Sequence, residues 1–390
     1  VQSVGFRPFV RRLATELDLS GAVRDDGGTV VIDAVGDPDD LAEFLLRLRQ
    51  DAPPTATVAE IVERGPTRRV DRPAGEFAIL PSAGAAAVFA EIPPDAAICD
   101  ACLTELFTPD DRRYRYPFIN CADCGPRATV IDGLPYDRSR TSMAEFPLCT
   151  ACAAEYQDPS NRRFHAESVG CPVCGPALVW RSPSALPDIS EAVGGAALTF
   201  ALARLRAGGI VAVKGLGGYQ LVCDASDEDG VRRLRAAKQR PHEAFAVMAS
   251  EMADIRAVAC VTSFEERLLT STARPIVLLR RWPGHHPHIA EAVAPAAPRL
   301  GLFLPATPLH HLLLRGVGRP LVVTSGSLAD AATLTDDAEA LERLGPLCDG
   351  ILAHDRPIRA RHDDSIARTV LGRPALVRRA RVAAARTTDR

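Results

Sequence analysis

Lysine is almost missing from this chain: of 46 basic residues only Lys214 and Lys238 are lysine, and all the others are arginine. Such a bias reflects genome composition, yet it marks both lysines as places where a compact ammonium is kept in preference to a planar guanidinium. An excess of charge of one sign is missing too. The 46 basic and 49 acidic residues leave a formal net charge of −3, which argues against a generally basic nucleic-acid binder. Aromatic residues make up 5% of the chain and none follows Phe303, so the arginine-rich stretch from Arg356 to Arg390 has nothing to stack on unpaired bases. Neither a secretory leader nor an apolar run long enough for a bilayer is present, so a reducing cytoplasm and no membrane partner are expected. What is there is 390 residues at 47% apolar content, enough for two to three domains with large cores plus a cysteine-rich region.

Eight of the eleven cysteines form four C-x-x-C pairs, Cys99/Cys102, Cys121/Cys124, Cys149/Cys152 and Cys171/Cys174, and the second two pairs repeat the first two 50 positions later. A C-x-x-C turn points two thiolates at one centre, and two such turns complete the four-sulfur shell of a closed, structural Zn²⁺ site. Two zinc ions are therefore expected, one per unit. In each unit 18 residues separate the pairs, and CDACLTELFTPDDRRYRYPFINCADCGP aligns without gaps on CTACAAEYQDPSNRRFHAESVGCPVCGP. Shared Pro109/Pro159, Arg112/Arg162, Arg113/Arg163, Tyr114/Phe164 and the closing Gly-Pro describe a tandem duplication. A disulfide framework and an iron–sulfur cluster are the competing readings, since spacing alone does not identify a metal. Cys223, Cys260 and Cys348 stand alone in apolar contexts and read as core thiols.

Residues 6 to 17 place Phe6, Phe9, Val10, Leu13 and Leu17 on one helical face, with Arg11, Arg12 and Glu16 opposite. Gly21 reads as the stop of this helix. Ala22 to Arg24 and Thr29 to Val35 read as a hairpin across Asp25-Asp26-Gly27-Gly28, Asp37 caps a second helix, and two more strands fit near Ala56 to Glu63 and Glu76 to Leu80. With one strand supplied before Val1, the plan is βαββαβ, ferredoxin-like. The chain opens on Val1 inside a small-residue loop, VQSVGFRPF, that feeds a helix N-terminus. Its backbone N–H groups are placed to meet an anion, and Arg7 can add a bidentate clamp. This stretch resembles the phosphate loop of acylphosphatases, VQGVGFR, and the resemblance runs to about Pro81. It implies a catalytic Arg7 and puts Asp25 at the position of the family's water-orienting asparagine. Ser3 stands where that family has glycine.

Residues Ile98 to Pro176, with NCADCGPR, LPYDRSRTSMAEFPLC, CAAEYQDPSNRRFHAES and CPVCGP, resemble the duplicated zinc fingers of HypF-type carbamoyltransferases, the [NiFe]-hydrogenase maturation enzymes. His165 lies between the cysteines of the second unit and reads as a surface or hydrogen-bonding histidine, because four thiolates already fill that shell. After a polar connector from Arg181 to Ser190, strands and helices alternate, which gives an α/β domain. A helix (Ala196 to Arg206) leads to a buried strand (Ile210 to Val213) and a Lys214-Gly215-Leu216-Gly217-Gly218 loop compatible with phosphates. Residues 191 to 382 resemble the YrdC-like domain of HypF-type proteins and of tRNA threonylcarbamoyl-adenylate synthases. The resemblance implies a pocket for ATP and carbamate formed by Lys238, Arg240, Thr324, Ser325, Arg361, Asp364, Ser365 and Arg379. Glu243 stands where the family has a second lysine, Ser327 where it has asparagine, and Arg381-Val382-Ala383 replaces Arg-Gly-Tyr.

The expected architecture is thus α/β and α+β in three units: an acylphosphatase-like domain (1–81), tandem zinc fingers (98–176) and a YrdC-like domain (191–382). The resemblance implies hydrolysis of carbamoyl phosphate near Arg7 and adenylation of carbamate with ATP and Mg²⁺. The acceptor it implies is the C-terminal cysteine of a partner maturation protein. Two other readings compete: an RNA-associated YrdC-like module, and a catalytically eroded scaffold that keeps only its zinc fold.

Overall fold

The computed structural model describes residues 5–26, 29–53, 56, 58–65, 76–80, 94–133, 136–182, 191–284, 289–327 and 332–378. The apolar stripe at the start of the chain folds as the helix Phe6–Glu16, with Phe6, Phe9, Val10 and Leu13 buried. Strands Ser20–Asp26 and Thr29–Val35 form the expected antiparallel hairpin, with Asp25 opposite Val30. Helix Pro38–Gln50 starts at Asp37, whose carboxylate accepts the N–H of Asp39. Strand Phe77–Ile79 runs parallel to Ser20–Asp26 and completes a three-stranded sheet.

Two expectations fail here. Gly21 does not stop the helix, which ends at Glu16; it sits within the first strand at φ 145°, where an added Cβ would lie 1.9 Å from Asp33 O. Glycine is needed there for the closeness of the hairpin. No strand forms among the described residues of Ala56 to Glu63. Ala56, Val58 and Ile61 pack half-buried on this unit's core, but no neighbour offers them a ladder among the described residues, and a strand exists only by pairing.

The largest element is a 12-stranded mixed sheet. Its path runs Arg373–Arg378, Ile366–Val370, Ile276–Arg281, Arg299–Phe303, Ala246–Met248, Leu321–Ser325, Tyr219–Asp224, Val211–Lys214, Gly350–His354, Leu178–Arg181 and Glu191–Val193, with Ala259–Cys260 beside Ile276–Arg281. Alternate residues of one strand serve opposite faces: Leu221 and Cys223 join one apolar core, Val222 the other. Both faces of the central strands are buried, which explains their near-continuous apolar runs.

The second core is shared between units. It holds Leu106, Tyr116, Phe118 and Ile119 of the first cysteine module together with Leu198, Leu202, Leu309 and Leu313 of helices Gly195–Arg206 and Pro308–Val317. Strand Leu178–Arg181, immediately after the second module, pairs with Gly350–His354 inside the large sheet. The cysteine modules are therefore built into the α/β unit. Cys223 is buried in the first core, Cys348 packs half-buried against it, and Cys260 is half-buried. No helix among the described residues is long and apolar enough to cross a membrane.

Candidate functional site

In each module the first C-x-x-C pair opens a helix. Cys99 precedes Asp100–Phe107 and Cys149 precedes Thr150–Gln157, so the second cysteine of each pair lies one turn along, on the same side. The other pair comes from a turn and faces the first. Sulfur separations are 3.7 Å for Cys99–Cys121, 3.9 Å for Cys121–Cys124, 3.8 Å for Cys149–Cys171 and 3.7 Å for Cys171–Cys174. Within each set of four, all sulfurs lie within 4.8 Å of one another. Zn–S bonds of about 2.3 Å at a tetrahedral centre put neighbouring sulfurs roughly 3.8 Å apart, whereas a disulfide needs about 2.05 Å. Both sets thus fit one structural zinc ion each, and all eleven cysteines are free thiols. The N–H of Cys152 pulls the Cys149 thiol down to about 6, toward the thiolate a metal requires.

Each centre is braced by the other module. Arg162, within the second unit, donates to Cys102 Sγ at 3.4 Å and Cys99 Sγ at 3.7 Å, and to Glu105 at 2.8 Å. Arg163 adds a second bond to Glu105. In reverse, Arg112 donates to Cys152 Sγ at 3.1 Å and to Glu155 at 2.6 Å, while the buried Arg113 binds Glu155 and Gly170 O. Burial alone would raise Glu155, but hydrogen bonds from Arg113 and Arg112 hold it down to about 2. A zinc with four thiolates carries two negative charges, and two guanidiniums reaching across, held by one glutamate, offset part of them.

The helix Phe6–Glu16 starts from Gly5 at φ 71°, and a Cβ on Gly5 would lie 3.3 Å from Ala122 O of the first module. Arg7, in the first turn, comes within 3.9 Å of Asp137 Oδ1. It lines a cavity with Arg127, Tyr136, His165, Glu167 and Ser168, all from the zinc modules. His165 holds a left-handed backbone at φ 49°, and its ring packs against Tyr156 and Phe164. Burial first, then the nearby Arg7, lowers its pKa. Glu167 is 5% exposed, and burial pushes its carboxyl up to about 7. Asp25 is buried at the end of its strand. Ser3 lies outside the described residues.

In the α/β unit the two lysines have different fates. Lys214, read as a phosphate group's partner, is consumed internally: its Nζ pairs with Asp337 at 2.6 Å and donates to His354 O at 2.9 Å. Lys238, the last residue of helix Glu228–Lys238, is 1% exposed and reaches the loop after strand Leu321–Ser325, donating to Ser325 O and to Ser327 O at 2.8 Å. Burial, with Arg240 nearby, lowers it to about 8. The Ser325 and Ser327 hydroxyls are 2.9 Å apart, and Thr324 is buried beside them. Lys238 and the Ser325–Ser327 loop therefore meet, with the charge of Arg240 near Lys238 and Thr324 next to Ser325 in the strand. The segment around residue 362 crosses the glycine loop where His362 N donates to Gly217 O at 3.1 Å. There Asp364 accepts from Gln220 at 3.3 Å, Ser365 is buried with its carbonyl bound by Ile276 N, and Arg361 is exposed. Arg379 and Arg381 to Ala383 lie outside the described residues. Glu243 makes no contact with Lys238 or the serine loop among the described residues. Its side chain is solvent-exposed and its carbonyl accepts from Arg235.

Three family profiles divide the chain in this order. The acylphosphatase profile covers 1–79, the HypF finger 98–131 and 148–180, and the Sua5/YciO/YrdC profile, described as telomere recombination, 203–380. The carbamoyltransferase HypF of Synechocystis sp. is 49% identical over 386 residues, covering 98% of this chain and 48% of the relative. HypF2 of Cupriavidus necator is 50% identical over 400 residues, covering 98% and 49%. The crystal structure of a full-length HypF in its phosphate- and nucleotide-bound form superposes with a TM-score of 0.88 at 38% identity, over 97% of this chain and 48% of that one. This chain belongs to the HypF family. It spans about half the length of the curated HypF relatives it matches.

Sequence reasoning about the HypF fingers missed Glu105 and Glu155, although they occupy equivalent places in the repeat. Their equivalence was the available signal. It also missed the opening of the Arg7 cavity onto His165 and Glu167, for which the aligned units offer no cue, since Arg115 and Pro117 stand at the matching places.

Proposed function

We propose that this chain carries the first two chemical steps of HypF-type carbamoyl transfer in the cytoplasm. Carbamoyl phosphate binds with its phosphate at the N-terminus of helix Phe6–Glu16 against Arg7, and water cleaves the acyl–phosphate bond to give carbamate and phosphate. Carbamate then attacks the α-phosphorus of ATP, releasing pyrophosphate and leaving carbamoyl-adenylate. Lys238, Arg240, Thr324 and Ser325 hold the triphosphate with Mg²⁺, Arg361, Asp364 and Ser365 complete the pocket, and Arg379 is a further candidate from the family resemblance. Asp25 replaces the water-orienting amide and only accepts hydrogen bonds when ionised, so the first step is slow in this chain. The final acceptor is the C-terminal cysteine of a partner maturation protein.

The observation that carries this reading is the convergence of the buried Lys238 with the Ser325–Ser327 loop in a chain that has given up nearly every other lysine. An RNA-binding role is disfavoured by the arginines of the C-terminal stretch. Arg356 is buried over the Phe118 ring, Arg359 pairs with Asp132 and Glu145, and Arg378 pairs with Asp363. The test is carbamoyl-phosphate-dependent exchange of labelled pyrophosphate into ATP. Exchange should vanish in Lys238→Met; in Arg7→Met it should return when ammonium carbamate is supplied. A zinc-loaded chain with no exchange under either condition is a scaffold, and salt-sensitive tRNA binding by that chain would favour the RNA reading.

A further inference from the structure

The cavity at Arg7 has one wall that acyl-phosphate hydrolysis does not use. Glu167 belongs to the second zinc module, far along the chain from Arg7, yet both line the same cavity. Its two oxygens differ. Oε2 accepts from Arg138 N at 2.8 Å and from Tyr156 Oη at 2.8 Å, whereas Oε1 has no donor among the described residues. A carboxylate so deeply buried with one oxygen fully bound and the other open to a cavity asks for an N–H or O–H from a ligand.

We propose that Glu167 is a specificity-determining residue of the acyl-phosphate site, its open oxygen accepting the N–H of a carbamoyl group whose phosphate is held at Arg7. The inference rests on the reading of Arg7 as the phosphate ligand. Tyr156 and Arg138 fix the orientation of the carboxylate, and the packed His165 ring narrows the cavity beside it. A carbamoyl group differs from an acetyl group by an NH₂ in place of CH₃, so only the first satisfies Glu167. A methyl there leaves a buried oxygen unpaired. Sites built to hydrogen-bond a substrate N–H reject analogues that lack it far more strongly than apolar pockets reject a change in size. The zinc modules would thereby do more than staple the fold: they would set which class of acyl phosphate Arg7 receives.

Calorimetric titration of the whole zinc-loaded chain with inorganic phosphate, carbamoyl phosphonate and acetyl phosphonate tests this, since neither phosphonate is hydrolysed. The unmodified chain should prefer the carbamoyl over the acetyl compound by at least about tenfold. Glu167→Leu should erase that preference and leave phosphate affinity within about twofold. Glu167→Gln has a single amide oxygen, which Arg138 N and Tyr156 Oη claim, so it turns its NH₂ to the cavity and should lose the preference as well; zinc content of two per chain checks that each variant is folded. No preference in the unmodified chain overturns the proposal without any variant, as does a preference that survives in Glu167→Leu. If none of the three probes binds, the Arg7 reading fails and this inference falls with it; loss of selectivity alone leaves Arg7 in place.

Discussion

Substituting Arg162 by methionine should loosen the zinc of the module to which Arg162 does not belong. The side chain sits in the second unit, between Cys152 and Cys171, but its guanidinium lies on Cys99 and Cys102 and on Glu105. A charge-assisted hydrogen bond is worth about 1.5–3 kcal/mol, and outer-shell partners of metal ligands typically change affinity roughly 10–100-fold. Arg162 is 32% exposed, so water screens part of the effect and the lower end applies, about tenfold to thirtyfold faster zinc release from the Cys99 set. Methionine keeps much of the apolar stem while removing the charge. The assay is zinc transfer to a chelator with timed alkylation, and mass spectrometry reports which cysteines become reactive. Cys99, Cys102, Cys121 and Cys124 should be labelled early, while the Cys149 set keeps the unmodified rate. Faster labelling at Cys149, Cys152, Cys171 and Cys174, or no change at either set, would refute the crossed bracing.

Four further outcomes are expected. Cys121→Ser should lower the melting temperature of the α/β unit along with that of its own module, because Leu106, Phe118 and Ile119 share a core with Leu198 and Leu309; an unchanged melt of the large sheet would show the units to be independent. Lys238 has a folded pKa of about 8, below its unfolded value near 10.5, so the unfolded chain holds the extra proton between those values. Stability should therefore rise with pH across that window, by at most roughly 3 kcal/mol, and Lys238→Met should flatten the rise in denaturant titrations at pH 8 and pH 10. Glu243→Lys should change ATP–Mg²⁺ affinity less than twofold, as Glu243 is solvent-exposed and makes no contact with Lys238 among the described residues, whereas Lys238→Met should weaken it at least about tenfold by calorimetry. Asp25→Asn should raise acyl-phosphate hydrolysis by up to about 10²-fold, since an amide can donate where the carboxylate cannot; equal rates would remove Asp25 from the site.

What a sequence can determine alone is what local geometry dictates. The eight zinc ligands were legible because a C-x-x-C turn sets its two sulfurs by covalent reach, and the 50-residue repeat showed which turns belong together. Helix Phe6–Glu16 and the hairpin after it were legible because apolar spacing and turn residues act over a few positions. The failures all required a distant neighbour. Gly21 marked a close approach to Asp33 across the hairpin, and the segment from Ala56 to Glu63 had a strand's composition but no ladder among the described residues. Lys214 and Lys238 look equivalent in sequence. Only Asp337, folded against the first, turned it into a structural ion pair, while the Ser325–Ser327 loop received the second. The crossed arginines, the core shared by zinc module and sheet, and the meeting of Arg7 with Glu167 were likewise decided by tertiary structure. Charge pairing and burial depend on which surfaces the folded chain brings within a few ångströms, and residue spacing along the chain does not carry that distance.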